Sequence, residues 1–229
     1  KKTILFTNND SAYESAISLN KKGLNVESII DIREKSDSDL VKEVEKIGIK
    51  IYWSHTVVDT NGYKRLKEII IMPLSKDDMS VTGKKINIKC DCLAIAGGWT
   101  PAVHLFTQSG GKLKFRKEDQ VFLPDISKSK QISIGSCNGD FKLNEIIKNL
   151  LLNVKNFLEI ENTEYDSLKI ECPSDNVKKN IWLLPSDKVI GKTKPFVDFQ
   201  NDATAKDIKL ALREGFRSIE HVKRYTTTG

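Results

Sequence analysis

The chain has 229 residues, enough for one large hydrophobic core or two modest ones, and its 39% hydrophobic and 30% charged residues are those of an ordinary soluble protein. Basic residues outnumber acidic ones by 37 to 31, but they are spread from Lys1 to Lys223 among acidic neighbours. No stripe that could track a phosphate backbone results, so no nucleic-acid partner is expected. No run approaches the roughly 20 apolar residues of a membrane span, and no basic start leads into a signal-type segment, so no membrane partner is expected and the compartment reads as cytoplasm.

The chain opens on Thr3-Ile4-Leu5-Phe6-Thr7, a short apolar strand, followed by Asn8-Asn9-Asp10-Ser11. Ala12, Ala16 and Leu19 then recur at helical spacing until Lys22-Gly23, and Val26 to Asp31 supplies the next strand. Strand, turn, helix and strand form the first half of a parallel nucleotide fold. The turn lacks the glycines that let a backbone approach a pyrophosphate. Asparagine can adopt the left-handed backbone that glycine permits, so the shape of the turn can survive, yet Asp10 puts a negative charge where phosphate would sit. Asp31 stands where a ribose-binding carboxylate would stand, and Arg33 beside it can equally pair with it on the surface.

A second helix is expected from Asp37 to Lys46 with Leu40, Val44 and Ile47 on one face, then a strand over Ile49 to Tyr52. Repetition of strand and helix argues for helices covering a parallel sheet. Asn61-Gly62 between two strand-like runs is a turn signal, with room for a longer hairpin, and Thr82-Gly83 turns a second hairpin into Ile86-Asn87-Ile88.

Cys90 to Ala96 reads as a buried strand that puts Cys90 and Cys92 on one face as small buried thiols. The four cysteines, Cys90, Cys92, Cys137 and Cys172, form neither a disulfide framework nor a four-ligand metal set, and no metal site is assigned. The strand ends in Gly97-Gly98-Trp99-Thr100-Pro101. Glycines at the carboxyl end of a parallel strand allow close approach of a ligand, and that end is where open parallel sheets bind ligands. Pro101 can start a short helix.

A second glycine-bracketed turn, Gly135-Ser136-Cys137-Asn138-Gly139, begins a long amphipathic helix with Leu143, Ile147, Leu150, Val154 and Leu158 on one side. A helix amino terminus there can receive an anion such as pyrophosphate. His55 and His104 are isolated from partners for acid–base work, and no histidine stands near Cys137 as its base, so no catalytic residue is assigned.

Residues 163 to 195 read as irregular, broken by Cys172-Pro173-Ser174, Leu184-Pro185-Ser186 and Lys194-Pro195, with Ile181 to Leu184 as a short strand or a peptide packed on the larger domain. Thr204 and Asp207 form a capping pair for a helix with Ile208, Ala211 and Leu212 inward, closed by Gly215. Ser218 caps the last helix, in which Ile219 and Val222 face inward. Arg213, Arg217, His221, Lys223 and Arg224 face either solvent or an anionic partner.

These elements resemble a partial disulfide-reductase-like two-nucleotide-domain fold of the α/β class with a small carboxyl-terminal helical segment. By that resemblance residues 1–88 are an inserted nicotinamide-type domain with a β-meander and 89–160 the returning half of an outer flavin-type domain. Residues 161–195 are then an irregular linker, and 196–229 a helix pair like that of [2Fe–2S] domains. Read together, Thr7 to Tyr13, Cys92 through Gly97-Gly98-Trp99-Thr100-Pro101 to Gly111, and Phe196 to Asp202 through Thr226 resemble the alpha subunits of heterotetrameric sarcosine oxidases.

The resemblance implies a complex that oxidises sarcosine to glycine with oxygen and tetrahydrofolate, giving hydrogen peroxide and 5,10-methylenetetrahydrofolate. FMN and FAD serve the full complex and a tightly held NAD the alpha subunit, with none retained by this piece alone as one reading. Its partners are the remainder of the alpha chain, with a folate-binding aminomethyltransferase-like half, the beta subunit and the smaller subunits. Gly97, Gly98, Trp99, Thr100, Gly135, Ser136, Cys137 and Asn138 become the cofactor-contact residues, and the chain a non-catalytic portion. Val197-Asp198-Phe199-Gln200 stands where iron–sulfur relatives carry a Cys-x-Cys pair, which argues against a cluster. An alpha component of another flavin-dependent amino-acid or opine dehydrogenase is the alternative. Lys1 and the Tyr225 to Gly229 tail read as excision boundaries, which would leave apolar surface uncovered.

Overall fold

A computed structural model describes residues 1–159 and 179–229. Cys172 and residues 161–178 of the expected linker lie outside the described residues.

β1 (Lys2–Thr7), α1 (Ser11–Lys21), β2 (Asn25–Asp31), α2 (Asp39–Lys46) and β3 (Lys50–Trp53) alternate as the periodicity predicts. Successive side chains of a strand point to opposite faces, and β1 and β2 are apolar on both. Leu5 and Ile29 therefore enter one core with Ala12, Tyr13 and Ala16 of α1 and Val41 and Val44 of α2. Ile4, Phe6 and Ile30 enter a second core on the other face with Ile69, Ile71 and Ile88. Ser38 caps α2 by accepting from the Val41 N–H, and the inward stripe is Val41 and Val44, with Leu40 half-buried and Ile47 37% exposed.

The second core is closed by an antiparallel meander of β4 (His55–Gly62), β5 (Leu66–Pro73) and β6 (Ile86–Lys89). Gly62 pairs with Leu66, so the hairpin turns over residues 63–65 rather than on Asn61-Gly62. Gly62 has φ +152°, and a Cβ there would lie 2.0 Å from the Arg65 carbonyl oxygen.

The chain then returns to the parallel sheet through β7 (Cys92–Ala96), giving the order β3-β2-β1-β7. Thr3 to Thr7 register with Cys92 to Ala96, so the sheet runs across the division expected between residues 88 and 89. As an edge strand β7 is not the buried strand expected: Ile95 is 69% exposed. Cys90 and Cys92 do not share a face, because Cys90 precedes the strand and is buried in the second core while Cys92 is exposed. Burial, and next the Asp91 charge, push the Cys90 thiol above its ordinary pKa.

Beyond β7, α3 (His104–Gln108) starts three residues after Pro101, and β8 (Lys112–Arg116) and β9 (Val121–Ile126) pair as a hairpin. Gly135–Asn138 is a short 3-10 turn, separated by Gly139 to Lys142 from α4 (Leu143–Leu158). α4 forms, but no residue of the expected apolar stripe is buried; Leu143 and Leu158 are each more than half exposed.

The carboxyl-terminal unit contains β10 (Phe196–Asp198), β11 (Ala203–Thr204), α5 (Ala205–Arg213) and α6 (Ile219–Thr226). Asp207 accepts from the Thr204 N–H at 2.8 Å and from its hydroxyl at 2.7 Å, fixing the start of α5. Gly215, at φ +96°, ends the helix as expected. Ala211 and Val222 are buried between the two helices, but Leu212 is 46% and Ile219 77% exposed, so both point outward instead of inward. The α/β class with a small helical carboxyl-terminal unit is as expected. Among the described residues no helix is long and apolar enough to cross a membrane.

Candidate functional site at the carboxyl edge of the parallel sheet

Three loops meet at the carboxyl ends of β1, β2 and β7. The β1–α1 turn does not use the left-handed backbone that glycine or asparagine would supply: Asp10 has φ −78°, and neither Asn8 nor Asn9 has positive φ. Side chains shape it instead. Asn9, 2% exposed, accepts from the Ser11 N–H at 3.0 Å and the Ser11 hydroxyl at 2.6 Å, so its amide oxygen satisfies a first-turn donor of α1. The Asn9 amide nitrogen donates to Asn8 Oδ1 at 2.8 Å and to the Ala96 carbonyl at 3.1 Å. Asn8 Nδ2 donates to the Gly97 carbonyl and to the Lys179 carbonyl, each at 3.0 Å. Thr7 Oγ1 donates to the carbonyls of Asn9 and Ala96 at 2.9 and 3.2 Å.

Behind this turn lies a buried charge network. Arg33 Nη1 sits 2.7 Å from Asp10 Oδ1 and Nη2 2.7 Å from Asp31 Oδ2, while Nε donates to both Asp31 oxygens at 3.1 Å. Tyr13 Oη donates to Asp31 Oδ2 at 2.8 Å. Arg33 is 6% exposed, Asp10 7%, Asp31 and Tyr13 fully buried, so the pair placed on the surface as one alternative is an interior one. Burial opposes the charge on Arg33, but the hydrogen bond and charge of Asp31, then those of Asp10, outweigh it and hold the guanidinium above its ordinary pKa. Burial first, and the Asp31 charge next, push the Tyr13 phenol well above its ordinary value, keeping it a neutral donor.

Asp31 is thereby saturated by Arg33 and Tyr13, and Asp10 is an ion-paired interior group. At this first turn Asn9 occupies the Ser11 N–H, one of the helix-start donors that a pyrophosphate would use, and Asp10 and Asp31 are turned inward onto Arg33.

The β7 loop is different. Gly97, Gly98, Trp99 and Thr100 are all exposed, Trp99 by 61%. Gly98, at φ +109°, faces Asn8, while a Cβ on Gly97 would meet nothing within 4 Å, so one side of the loop is open to a close approach. Thr100 also lines a cleft of about 410 Å³ with His104, Gln120, Phe122 and Trp182. The indole N–H of Trp182 donates to Gln120 Oε1.

The second candidate turn packs elsewhere, against β9 and α4. Gly135, at φ +78°, is buried beside Ile146, and Cys137 Sγ donates to the Ile134 carbonyl at 3.1 Å. Arg116, paired with Asp119, reaches the Gly139 carbonyl at 3.5 Å. Ser136 is exposed, but Asn138 Nδ2 donates to Asp140 Oδ2 at 3.4 Å, as does Asn149 Nδ2. A carboxylate of the chain thus stands just before α4, whose first turn the 135–139 turn was expected to begin directly.

In the carboxyl-terminal unit Asp198 accepts from the N–H groups of Gly229 at 2.9 Å, Gln200 at 2.8 Å and Asn201 at 3.3 Å, and from Asn201 Nδ2 at 2.8 Å. These bonds, that of Gly229 foremost, lower its pKa to about 2. The position compared with a cluster cysteine therefore organises a loop. Arg213, Arg217, His221, Lys223 and Arg224 are all exposed, and Arg213 lies 3.4 Å from Glu214. Sequence reading missed Lys179, Arg116 and Trp182 at these turns; each acts through a partner more than twenty residues away, for which local spacing carries no signal.

Residues 192–229 match the sarcosine oxidase A3 domain. The alpha subunit of sarcosine oxidase from Corynebacterium sp. (strain P-1) is 30% identical over 98% of this chain and 24% of that subunit. The corresponding subunit of Rhizobium meliloti (strain 1021) is 29% identical over 98% of the chain and 22% of its own length. The resemblance to these alpha subunits thus runs along nearly the whole chain, which spans about a quarter of their length. Among solved structures, T. acidophilum thioredoxin reductase aligns at 19% identity over 60% of this chain and 47% of its own, with a TM-score of 0.42. L-proline dehydrogenase from P. horikoshii aligns at 17% identity over 97% of this chain and 44% of its own, with a TM-score of 0.47.

Proposed function

We propose that the chain is a non-catalytic nucleotide-fold portion of a sarcosine oxidase alpha subunit. The similarity along 98% of its length to two named alpha subunits carries this reading. The full complex would oxidise sarcosine to glycine with oxygen and tetrahydrofolate, releasing hydrogen peroxide and 5,10-methylenetetrahydrofolate. Its flavins, FMN and FAD, would supply the electron transfer.

The chain's own task in this reading is support. Gly97 to Thr100 would approach NAD from the open side of the β7 loop, Trp99 offering an exposed ring and Thr100 a hydroxyl donor. Gly135, Ser136, Cys137 and Asn138 would form a second contact turn, with further contacts from alpha-chain segments outside these residues. The beta subunit, the smaller subunits and the folate-binding half of the alpha chain would be its partners, in the cytoplasm.

The test compares sarcosine-dependent peroxide formation by the isolated chain with that of the assembled complex containing it. Turnover by the complex and none by the chain is expected. Turnover by the chain alone, or a complex indifferent to sarcosine, would overturn the proposal.

A further inference from the structure

We infer that residues 179–188 form a strap across the sheet edge whose first residue, Lys179, seats on the β1–α1 turn, so that the turn used by dinucleotides in such folds meets this chain's own peptide. Asn8 and Lys179 exchange two hydrogen bonds: Asn8 Nδ2 donates to the Lys179 carbonyl at 3.0 Å, and the Lys179 N–H donates to the Asn8 carbonyl at 3.3 Å. The same Asn8 amide holds the Gly97 carbonyl, so one side chain ties the strap, the β1 turn and the β7 loop together.

The strap is anchored at intervals beyond that point. Lys179 Nζ lies 2.7 Å from Asp78 in the loop after β5. Asn180 Nδ2 donates to the Asp119 carbonyl at 2.8 Å and Trp182 to Gln120, both in the β8–β9 turn. Ile181 and Leu184 pack against the second core. Asp187 pairs with Lys85 at 2.6 Å, and Lys188 with Asp59. Surface ion pairs contribute little singly, but the spaced polar contacts and two apolar anchors leave the segment one path across the sheet edge.

This explains the residues at the first turn. Glycines would let a pyrophosphate approach; asparagines instead supply amide donors and acceptors at the height of a neighbouring peptide, which is what the strap offers. Asp10 is held inward by its ion pair with buried Arg33. The strap leads on toward β10, so the carboxyl-terminal helix pair is tethered to the nucleotide fold through Asn8. This goes beyond the proposed function, which places cofactor contacts at the β7 loop and the 135–139 turn.

Hydrogen–deuterium exchange on the full chain, followed separately in residues 7–13, 94–102 and 179–190, tests it. In Asn8→Ala the amides of 179–184 should exchange about tenfold faster, while those of β1 and β2 hold. Lys179→Pro, a half-buried site change that deletes one strap N–H, should loosen the same segment should Asn8→Ala fail to fold. Unchanged exchange of 179–184 in the folded variants would overturn the strap. Added NADH should leave residues 9–13 of the unaltered chain unprotected, and protection there would overturn the inference. Failure of the proposed function would appear in sarcosine turnover, which this experiment does not read.

Discussion

Arg33→Met removes the one cation of the interior network while roughly keeping its volume. In the native chain the guanidinium reaches Asp10 and Asp31 at 2.7 Å each, and all three groups are less than 9% exposed. Without it, Asp31 keeps the Tyr13 hydroxyl at 2.8 Å and the residue-33 N–H at 2.9 Å, but Asp10 loses its counter-ion. Breaking a buried pair from one side leaves an uncompensated charge, so the loss should be about 3–5 kcal/mol. Tyr13→Phe deletes one hydrogen bond to a buried charged group and should cost less, about 1.5–3 kcal/mol. Arg33→Lys should fall between native and Met, since a point charge cannot reproduce the fork. Urea unfolding followed by tryptophan fluorescence, to which Trp53 stacked on Tyr13 at a centroid distance of 6.0 Å contributes, reads the loss of stability. An Arg33→Met chain within about 1 kcal/mol of native stability would refute the claim that the network holds this edge of the sheet together.

Gly62→Ala should destabilise the meander, because the added methyl meets the Arg65 carbonyl at 2.0 Å; a native melting temperature would count against the observed hairpin turn. A thiol reagent should label exposed Cys92 at once and buried Cys90 only on unfolding, and equal labelling rates by peptide mass mapping would contradict the edge position of β7. Asp198 has a folded pKa lowered to about 2, so its stabilising contribution is complete above the ordinary carboxylate value and is lost as pH falls from about 4 toward 2. Asp198→Ala should flatten the pH dependence of β10–α6 unfolding in that window, and an unaltered profile would show the loop does not depend on its carboxylate.

The parallel half of the fold was legible because β1, β2, α1 and α2 state their periods in sequence: Ile4 and Phe6 oppose Leu5, and Val41 and Val44 share a face. The meander was legible as a pair of hairpins, and the room left for a longer first hairpin is used, since the bend lies just after the Asn-Gly signal. The role of β7 was misread because an apolar run does not say whether the strand is central or at the edge. The β8–β9 hairpin was missed; its alternation is masked by outward Phe115 and Phe122, whose rings pair at 5.1 Å. At the site, the absence of glycine at the first turn was visible, whereas its cause was not. Asn8 acts on Lys179 and Gly97, and Arg33 on Asp10, contacts that depend on topology rather than spacing.

Calorimetric titration of NAD into this chain and into a complete alpha subunit containing it tests the central claim, that the chain supports a cofactor site rather than forming one alone. Binding to the complete subunit that weakens on Trp99→Ala, with none to the chain by itself, is the predicted result. One-to-one micromolar binding to the chain alone, sensitive to Asn9→Ala and indifferent to Trp99→Ala, would contradict it.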